Sequence, residues 1–260
     1  MEKIQFASDL HLENHENLKY LTAHPLKKSA DILVIAGDTA PFSLYSKLPF
    51  FQWCSETYKQ TFVVPGNHEY YGSRCVEQTY SLNEKLFPNV TLVNNQTITI
   101  NKTDFFFTTL WSDLDVGHES AIQKKLADFK YVKWFSDPAV DNVPYRDAFK
   151  YCRRWLEDSL QKSVSEYKVV VTHHCPVLSL TVYGNDFMDS CFNVDMTPLM
   201  DKYNITYWIY GHTHSNFNDY KHGNCTVVSN QLGFIVLQEH GDFLQTKCIP
   251  SSKQSSCVLV

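Results

Sequence analysis

The chain contains no CxxC pair and no closely spaced cysteines, although it has eight of them, at positions 54, 75, 152, 175, 191, 225, 248 and 257. That pattern excludes a zinc ribbon and a disulfide lattice and leaves reduced, mostly buried thiols as the expectation. Lys and Arg form no cluster, and the formal net charge is −5. A protein that grips nucleic acid through its phosphates needs a basic footprint, so the charge balance disfavours that class. No apolar run approaches the length of a membrane span. The first one, Ile4 to Ala7, is far shorter than the apolar core of a signal peptide and runs straight into Asp9 and His11. A cytoplasmic protein is expected. Glycine and proline are sparse, at 9 and 10 of 260 residues, and 43% hydrophobic with 14% aromatic residues is ample for a large core. A mainly disordered chain is thereby excluded.

Five short polar clusters stand out against this background: Asp9-Leu10-His11, Gly37-Asp38, Gly66-Asn67-His68-Glu69, His173-His174 and Gly211-His212-Thr213-His214. Six of the eleven histidines lie in them. Each cluster follows a β-branched or aromatic run: Lys3–Ser8, Asp31–Ala36, Thr61–Pro65, Lys168–Thr172 and Thr206–Tyr210. These runs read as strands. Loops at the carboxyl ends of strands in an α/β sheet share one crevice, so residues 9 to 214 can build a single site within a single fold. The expected organisation is one domain over residues 1–249 with a short tail at 250–260.

Helical spacing of apolar residues predicts helices over Ser43–Tyr58, Arg74–Phe87, Tyr145–Ser163 and Val194–Tyr203, with a less periodic one within Asn14–Ala30. Val90–Val93, Thr97–Ile100 and Asp104–Leu110 read as a β-rich middle, with Asn94-Asn95 and Asn101-Lys102 as hairpin turns. Two further strands are expected between Cys225 and Gln238. Trp111–Pro144, rich in Asp, aromatics and turn formers, carries a modest helical pattern near His118–Phe129. It reads as an excursion beside the site.

Any one of the clusters alone would be ordinary turn chemistry. Together they supply the nitrogen and oxygen donors that hold borderline divalent metals. On extended backbone, Asp9 and His11 would share a face, as would His212 and His214, whereas His173 and His174 would point apart and send one imidazole to a metal. Asp38 offers two oxygens that can bridge two cations. Asn67 and His68 place a neutral oxygen ligand beside a group that titrates near neutral pH.

The ordered blocks SDLHLE, LVIAGDT, VPGNHEYY, VVVTHHCP and IYGHTHSNF resemble the five-block metal motif of the calcineurin-like metallophosphoesterase superfamily. Leu110–Asp113, Ala127–Phe129 and Asn230–Phe234 add a resemblance to a prokaryotic-type, largely uncharacterised branch. The resemblance implies an α/β fold, a four-layer αββα sandwich of two mixed sheets flanked by helices. It implies one ion held by Asp9, His11, Asp38 and His214 and a second held by Asp38, Asn67, His173 and His212, with manganese, iron or zinc suited to the donors. His68 would then face the leaving group as the catalytic acid, and a hydroxide between the ions would attack the phosphorus of a small phosphomonoester or phosphodiester. The alternatives are a binding or scaffold protein on the same fold, which would be expected to have lost ligands, and a nuclease, which would need a basic groove.

Residues placed to read the rest of a substrate are Tyr70, Tyr71, Trp111, Asp113 and Phe129, on position alone. Cys257-Val258-Leu259-Val260 has the form of a C-terminal lipidation box, but terminal Val is not a usual fourth residue and no polybasic run precedes it.

Overall fold

The protein was analysed as a computed structural model that describes residues 3–135, 143–182, 184 and 186–252. Its twelve described strands form two six-stranded sheets. The first contains β1 (Lys3–Ala7), β2 (Ile32–Ala36), β3 (Gln60–Val64), β4 (Leu82–Phe87), β5 (Val90–Asn94) and β12 (Cys248–Pro250), in the order β12-β1-β2-β3-β5-β4. The second contains β6 (Gln96–Ile100), β7 (Thr103–Thr108), β8 (Tyr167–Thr172), β9 (Tyr207–Tyr210), β10 (Tyr220–His222) and β11 (Cys225–Ser229), in the order β10-β11-β9-β8-β7-β6. Both sheets are mixed, each with four parallel central strands and one antiparallel strand at either edge.

The central strands are apolar on both faces because both faces are covered. Ile32, Val34 and Ala36 of β2 meet Phe105, Phe107, Val169, Val171 and Ile209 of the second sheet in a core between the sheets. The alternate residues Leu33, Ile35, Phe106 and Val170 face outward, into a second core that takes in Leu21, Phe51, Cys54, Cys152 and Leu156 from the helices. The helices are α1 (His15–Ala23), α2 (Pro49–Thr57), α3 (Glu119–Lys125), α4 (Asp128–Tyr131), α5 (Val143–Lys162) and α6 (Thr197–Tyr203). The layers therefore run helix, sheet, sheet, helix, as the sequence resemblance implied.

Several expected elements differ. Arg74–Phe87 is not a helix: a short 3₁₀ turn at Val76–Thr79 is followed by β4, which closes the edge of the first sheet against β5. Short apolar runs do not distinguish the two periods, and tertiary pairing decided. Asn94-Asn95 is not a hairpin turn. It carries the chain from the first sheet to the second, and Asn94 braces the crossing by donating to Thr79 O at 3.0 Å and accepting from Thr109 N at 2.9 Å. Asn101-Lys102 does form the β6–β7 hairpin turn, with φ of 48° and 68°. Ser43–Tyr58 is divided at Pro49, which begins α2 after a 3₁₀ turn at Phe42–Lys47. Of the two strands expected at 225–238 only β11 forms, and its partners are β9 and β10. Pro250 pairs with Lys3 in β12, so the tail joins the first sheet before it leaves the described residues. Cys257 lies outside the described residues. No helix among the described residues is long and apolar enough to cross a membrane.

The inter-sheet core yields a direct test. Phe107 is fully buried and its ring lies 5.2 Å from that of Phe62 across the two sheets. Phe107→Ala is expected to cost about 3–5 kcal/mol in denaturant unfolding; a cost near zero would contradict a packed sheet interface.

Candidate metal centre

The loops that follow β1, β2, β3, β8 and β9 meet at one end of the sandwich, where short bonds lock the two sheets together. Asp9 N donates to Gly37 O and His11 N to Asp38 O, both at 3.0 Å. Between the sheets, His212 N donates to Asp9 Oδ1 and His173 Nδ1 to Ala36 O, both at 2.9 Å, and within the second sheet Gly211 N donates to His173 O at 2.9 Å. The convergence expected from strand ends is thus present.

The local backbone is not the extended chain assumed from the sequence. Asp9, His11, Asp38, His212 and His214 all have positive φ, between 46° and 74°. Such geometry costs a non-glycine residue roughly 1–2 kcal/mol. Asp9 and His11 reach one place because the chain curls around it, not because alternate residues of a strand share a face. Two glycines admit this crowding. A Cβ on Gly37, itself at φ 91°, would lie 2.2 Å from His173 Nδ1, and one on Gly66 would lie 2.2 Å from Asp38 Oδ1.

Two sets of donors share Asp38, and a third group, His11, Glu13 and His68, lies beside them. Asp9, His11, Asp38 and His214 form one group whose ligand atoms lie within 4.8 Å of one another, and Asp38, His173 and His212 form another. Asp38 Oδ2 stands between them, 3.7 Å from His11 Nε2 and 3.4 Å from His173 Nε2. Asn67 Oδ1 adds to the second group, 3.0 Å from His173 Nε2. His174 turns away, its Nδ1 donating to Thr109 O and its Nε2 facing Tyr145 Oη at 3.3 Å.

The residues fit metal ions on three counts. Asp9 Oδ2 and His212 Nε2 are buried without a hydrogen-bond partner among the described residues, a costly state for a polar atom unless something else binds it. His11 Nε2 and His214 Nε2 face each other at 3.0 Å, with Asp38 Oδ2 3.7 Å from the first and Asp9 Oδ1 3.4 Å from the second, so nitrogens and carboxylate oxygens crowd one point. Finally, Nδ1 of His11, His173 and His214 is engaged by Glu13, Ala36 O and Glu239, leaving each Nε2 as the lone-pair atom. An outer acceptor that fixes the tautomer in this way is the usual support of a metal-bound histidine.

The supporting groups were largely missed from the sequence. Glu69, the last residue of the GNHE block, accepts from the backbone N–H groups of Asp38, Thr39 and Gly66 and from Tyr45 Oη, at 2.7–2.9 Å. Burial and the nearby Asp38 push its carboxyl up to about 7. Asp128 of α4 accepts from Asn67 Nδ2 at 2.8 Å and from Tyr71 Oη at 2.7 Å, which aims the other end of the Asn67 amide at His173. Burial raises the Asp128 carboxyl. Glu13 lies within 3.2 Å of both His11 and His68; burial opposes its ionisation, but those hydrogen bonds outweigh it and lower the carboxyl to about 2. Glu13 was visible as the last residue of the first block, and Glu239 had no motif to mark it.

Burial also opposes protonation of His173 and His214, yet neighbouring carboxylates raise them to about 9 and about 10. Burial lowers His11 and His212. A cation entering the site must therefore displace protons from some of its histidines.

The site opens into a cleft of about 460 Å³. Tyr71 lines it and stacks on His68 with ring centroids 4.2 Å apart. The other residues expected to read a substrate are elsewhere. Tyr70 and Trp111 are fully buried, packed on each other at 5.5 Å, and Tyr70 Oη is bonded to Thr79. Phe129 packs on Tyr145, and Asp113 is exposed away from the cleft lining. A position near the motif did not distinguish core aromatics from wall. The Trp111–Pro144 excursion reaches the cleft through Leu126, Ala127 and Asp128 instead; its residues 136–142 lie outside the described residues.

A family model described as calcineurin-like phosphoesterase matches residues 3–216. An uncharacterised protein of Acanthamoeba polyphaga mimivirus is 28% identical over 260 residues, covering 90% of this chain and 92% of that protein. Among solved structures, the phosphopantetheinyl hydrolase of Mycobacterium tuberculosis aligns with a TM-score of 0.69 and 15% identity, covering 94% of each chain. At that identity the likeness is one of fold.

Gly66→Ala should force Asp38 aside, because the added methyl meets its Oδ1. The expected outcome is a stability loss of roughly 1–3 kcal/mol, together with weakened binding of Mn²⁺ in calorimetric titration. Wild-type metal binding would show that Asp38 has room to move.

Proposed function

We propose, for a chain that belongs to the calcineurin-like phosphoesterase family, that it is a metal-dependent phosphohydrolase working through two metal ions that share Asp38. The observation that carries this reading is the pair of buried donor groups with Asp38 common to both. Asp9, His11, Asp38 and His214 would hold one ion; Asp38, Asn67, His173 and His212 would hold the other. Their nitrogen and oxygen donors suit manganese, iron or zinc. Two cations bound there would supply an activated nucleophile at neutral pH and neutralise charge on the transferring phosphoryl group.

The protein's own residues do the rest. Asp128 holds the Asn67 amide, and Glu13, Ala36 O and Glu239 hold three of the imidazoles, so the donors are oriented before anything binds. His68 is at the cleft wall, with its N–H donating to Asp38 Oδ1 at 2.9 Å and its Nδ1 beside Glu13. Burial opposes its protonation, but Asp38 and Glu13 outweigh that and raise its affinity for a proton. It is suited to protonate the departing oxygen. Tyr71, stacked on its ring, restricts its rotation.

Metal analysis of the purified protein is expected to find two equivalents per chain. Asp38→Asn should lose both, whereas Asp9→Asn should lose mainly one; loss of a single equivalent in both variants would refute the shared ligand. His68→Ala should keep its metal and slow turnover by roughly 10²–10⁴-fold for an alkyl leaving group, and far less for nitrophenolate, which leaves without a proton. Loss of metal in that variant would make His68 a ligand.

A further inference from the structure

Arg and Lys are the side chains most often found on phosphate dianions. Among the described residues, the acids in the lining of the cleft are Asp38, Asp128 and Glu239, and no Lys or Arg accompanies them. Outside the described residues, the sequence of 136–142, 183 and 185 contains no Lys or Arg, and that of 1–2 and 253–260 contains one, Lys253. Among the lining residues described, positive charge for a substrate would come from the two ions and the histidines, while Glu239 and Asp128 would repel a second phosphate group placed along the cleft.

The walls point the same way. Tyr71 stacks on His68, and the Phe234 ring is 6.3 Å from it, so aromatic surface flanks the side from which an ester oxygen departs. At the other donor group Phe192 stacks on His212 with centroids 4.7 Å apart. Val182 and Leu237, also in the lining, are 38% and 65% exposed. Apolar surface thus lies at both ends of the phosphate position. A phosphomonoester has one organic substituent and brings a dianion; a phosphodiester has two and brings a single charge.

We infer that the substrate is a phosphodiester with uncharged, apolar or aromatic groups next to the phosphate, and not a phosphomonoester, a pyrophosphate or a nucleoside polyphosphate. This rests on the phosphohydrolase reading above. Hydrolysis adds water across one P–O bond, breaking it to give an alcohol, a monoester dianion and one released proton.

The test uses the full chain loaded with Mn²⁺ and compares bis(4-nitrophenyl) phosphate with 4-nitrophenyl phosphate, which share a leaving group, together with pyrophosphate and ATP. kcat/KM for the diester is expected to exceed that for each of the others by roughly tenfold or more. Equilibrium binding provides a readout independent of turnover: diphenyl phosphate should bind more tightly than phenyl phosphate. Leu237→Arg, at an exposed position of the rim, should supply the missing cation and shift the rate ratio toward the monoester. A monoester or pyrophosphate preference in the wild type, or tighter binding of phenyl phosphate, overturns the inference while leaving the phosphohydrolase reading intact. Absence of hydrolysis of every substrate by metal-loaded protein would overturn both.

Discussion

The carboxylate of Glu69 joins the loops on which the rest of the site stands. It gathers N–H groups from the turn after β2 and the turn after β3, and the Tyr45 hydroxyl from beneath. Those backbone donors would otherwise be buried without partners, and their collective hold on one anion is stronger than neutral bonds would be. With the two turns fixed to each other, Asp38 and Asn67 are placed relative to one another before the second sheet contributes anything. The second sheet is then aligned by its own bonds to Asp9 and Ala36. A single buried acid therefore positions the donors while none of its own oxygens is needed as a ligand.

Concentrating so many donors has a physical cost that is borne locally. Five of the seven proposed ligands have left-handed backbone, two buried polar atoms lack partners, and imidazole nitrogens face one another at hydrogen-bond distance. A fold retains such features only where the surrounding structure over-determines them. Here the surroundings are two sheets with apolar faces on both sides, stiff enough to hold the loops in this arrangement. On the proposed reading, a cation in each donor group would relieve both the strain and the unpaired atoms.

A second layer of carboxylates tunes that arrangement. Glu13 serves His11 and His68 together, Glu239 serves His214, and Asp128 serves Asn67 and Tyr71. Asp128 comes from the long segment between β7 and β8 of the second sheet, so an irregular part of the chain reaches the donor groups through one buried acid. This couples the wall of the cleft to the orientation of a donor, and Tyr71 belongs to both because it stacks on His68 and bonds to Asp128.

The sequence by itself determined which residues carry nitrogen and oxygen donors, because five polar clusters each followed a strand-like run and strand ends converge in α/β folds. The parallel strands β1, β2, β3, β8 and β9 were legible for the same reason: burial on both faces writes continuous apolar runs such as ILVIA and VVVT. Edge elements were not legible. β4 read as a helix, β12 did not read as a strand and its Pro250 fell in the tail, and Asn94-Asn95 read as a hairpin turn, because their structure depends on which partner lies alongside. Only the tertiary structure decided that Tyr70 and Trp111 belong to the core while Tyr71 lines the cleft, since neighbours in sequence at an irregular turn have no fixed facing. It alone brought Asp128 and Glu239 to Asn67 and His214, contacts 61 and 25 residues apart in sequence. Local chemistry is written in the order of residues; which acid reaches which donor is settled by packing.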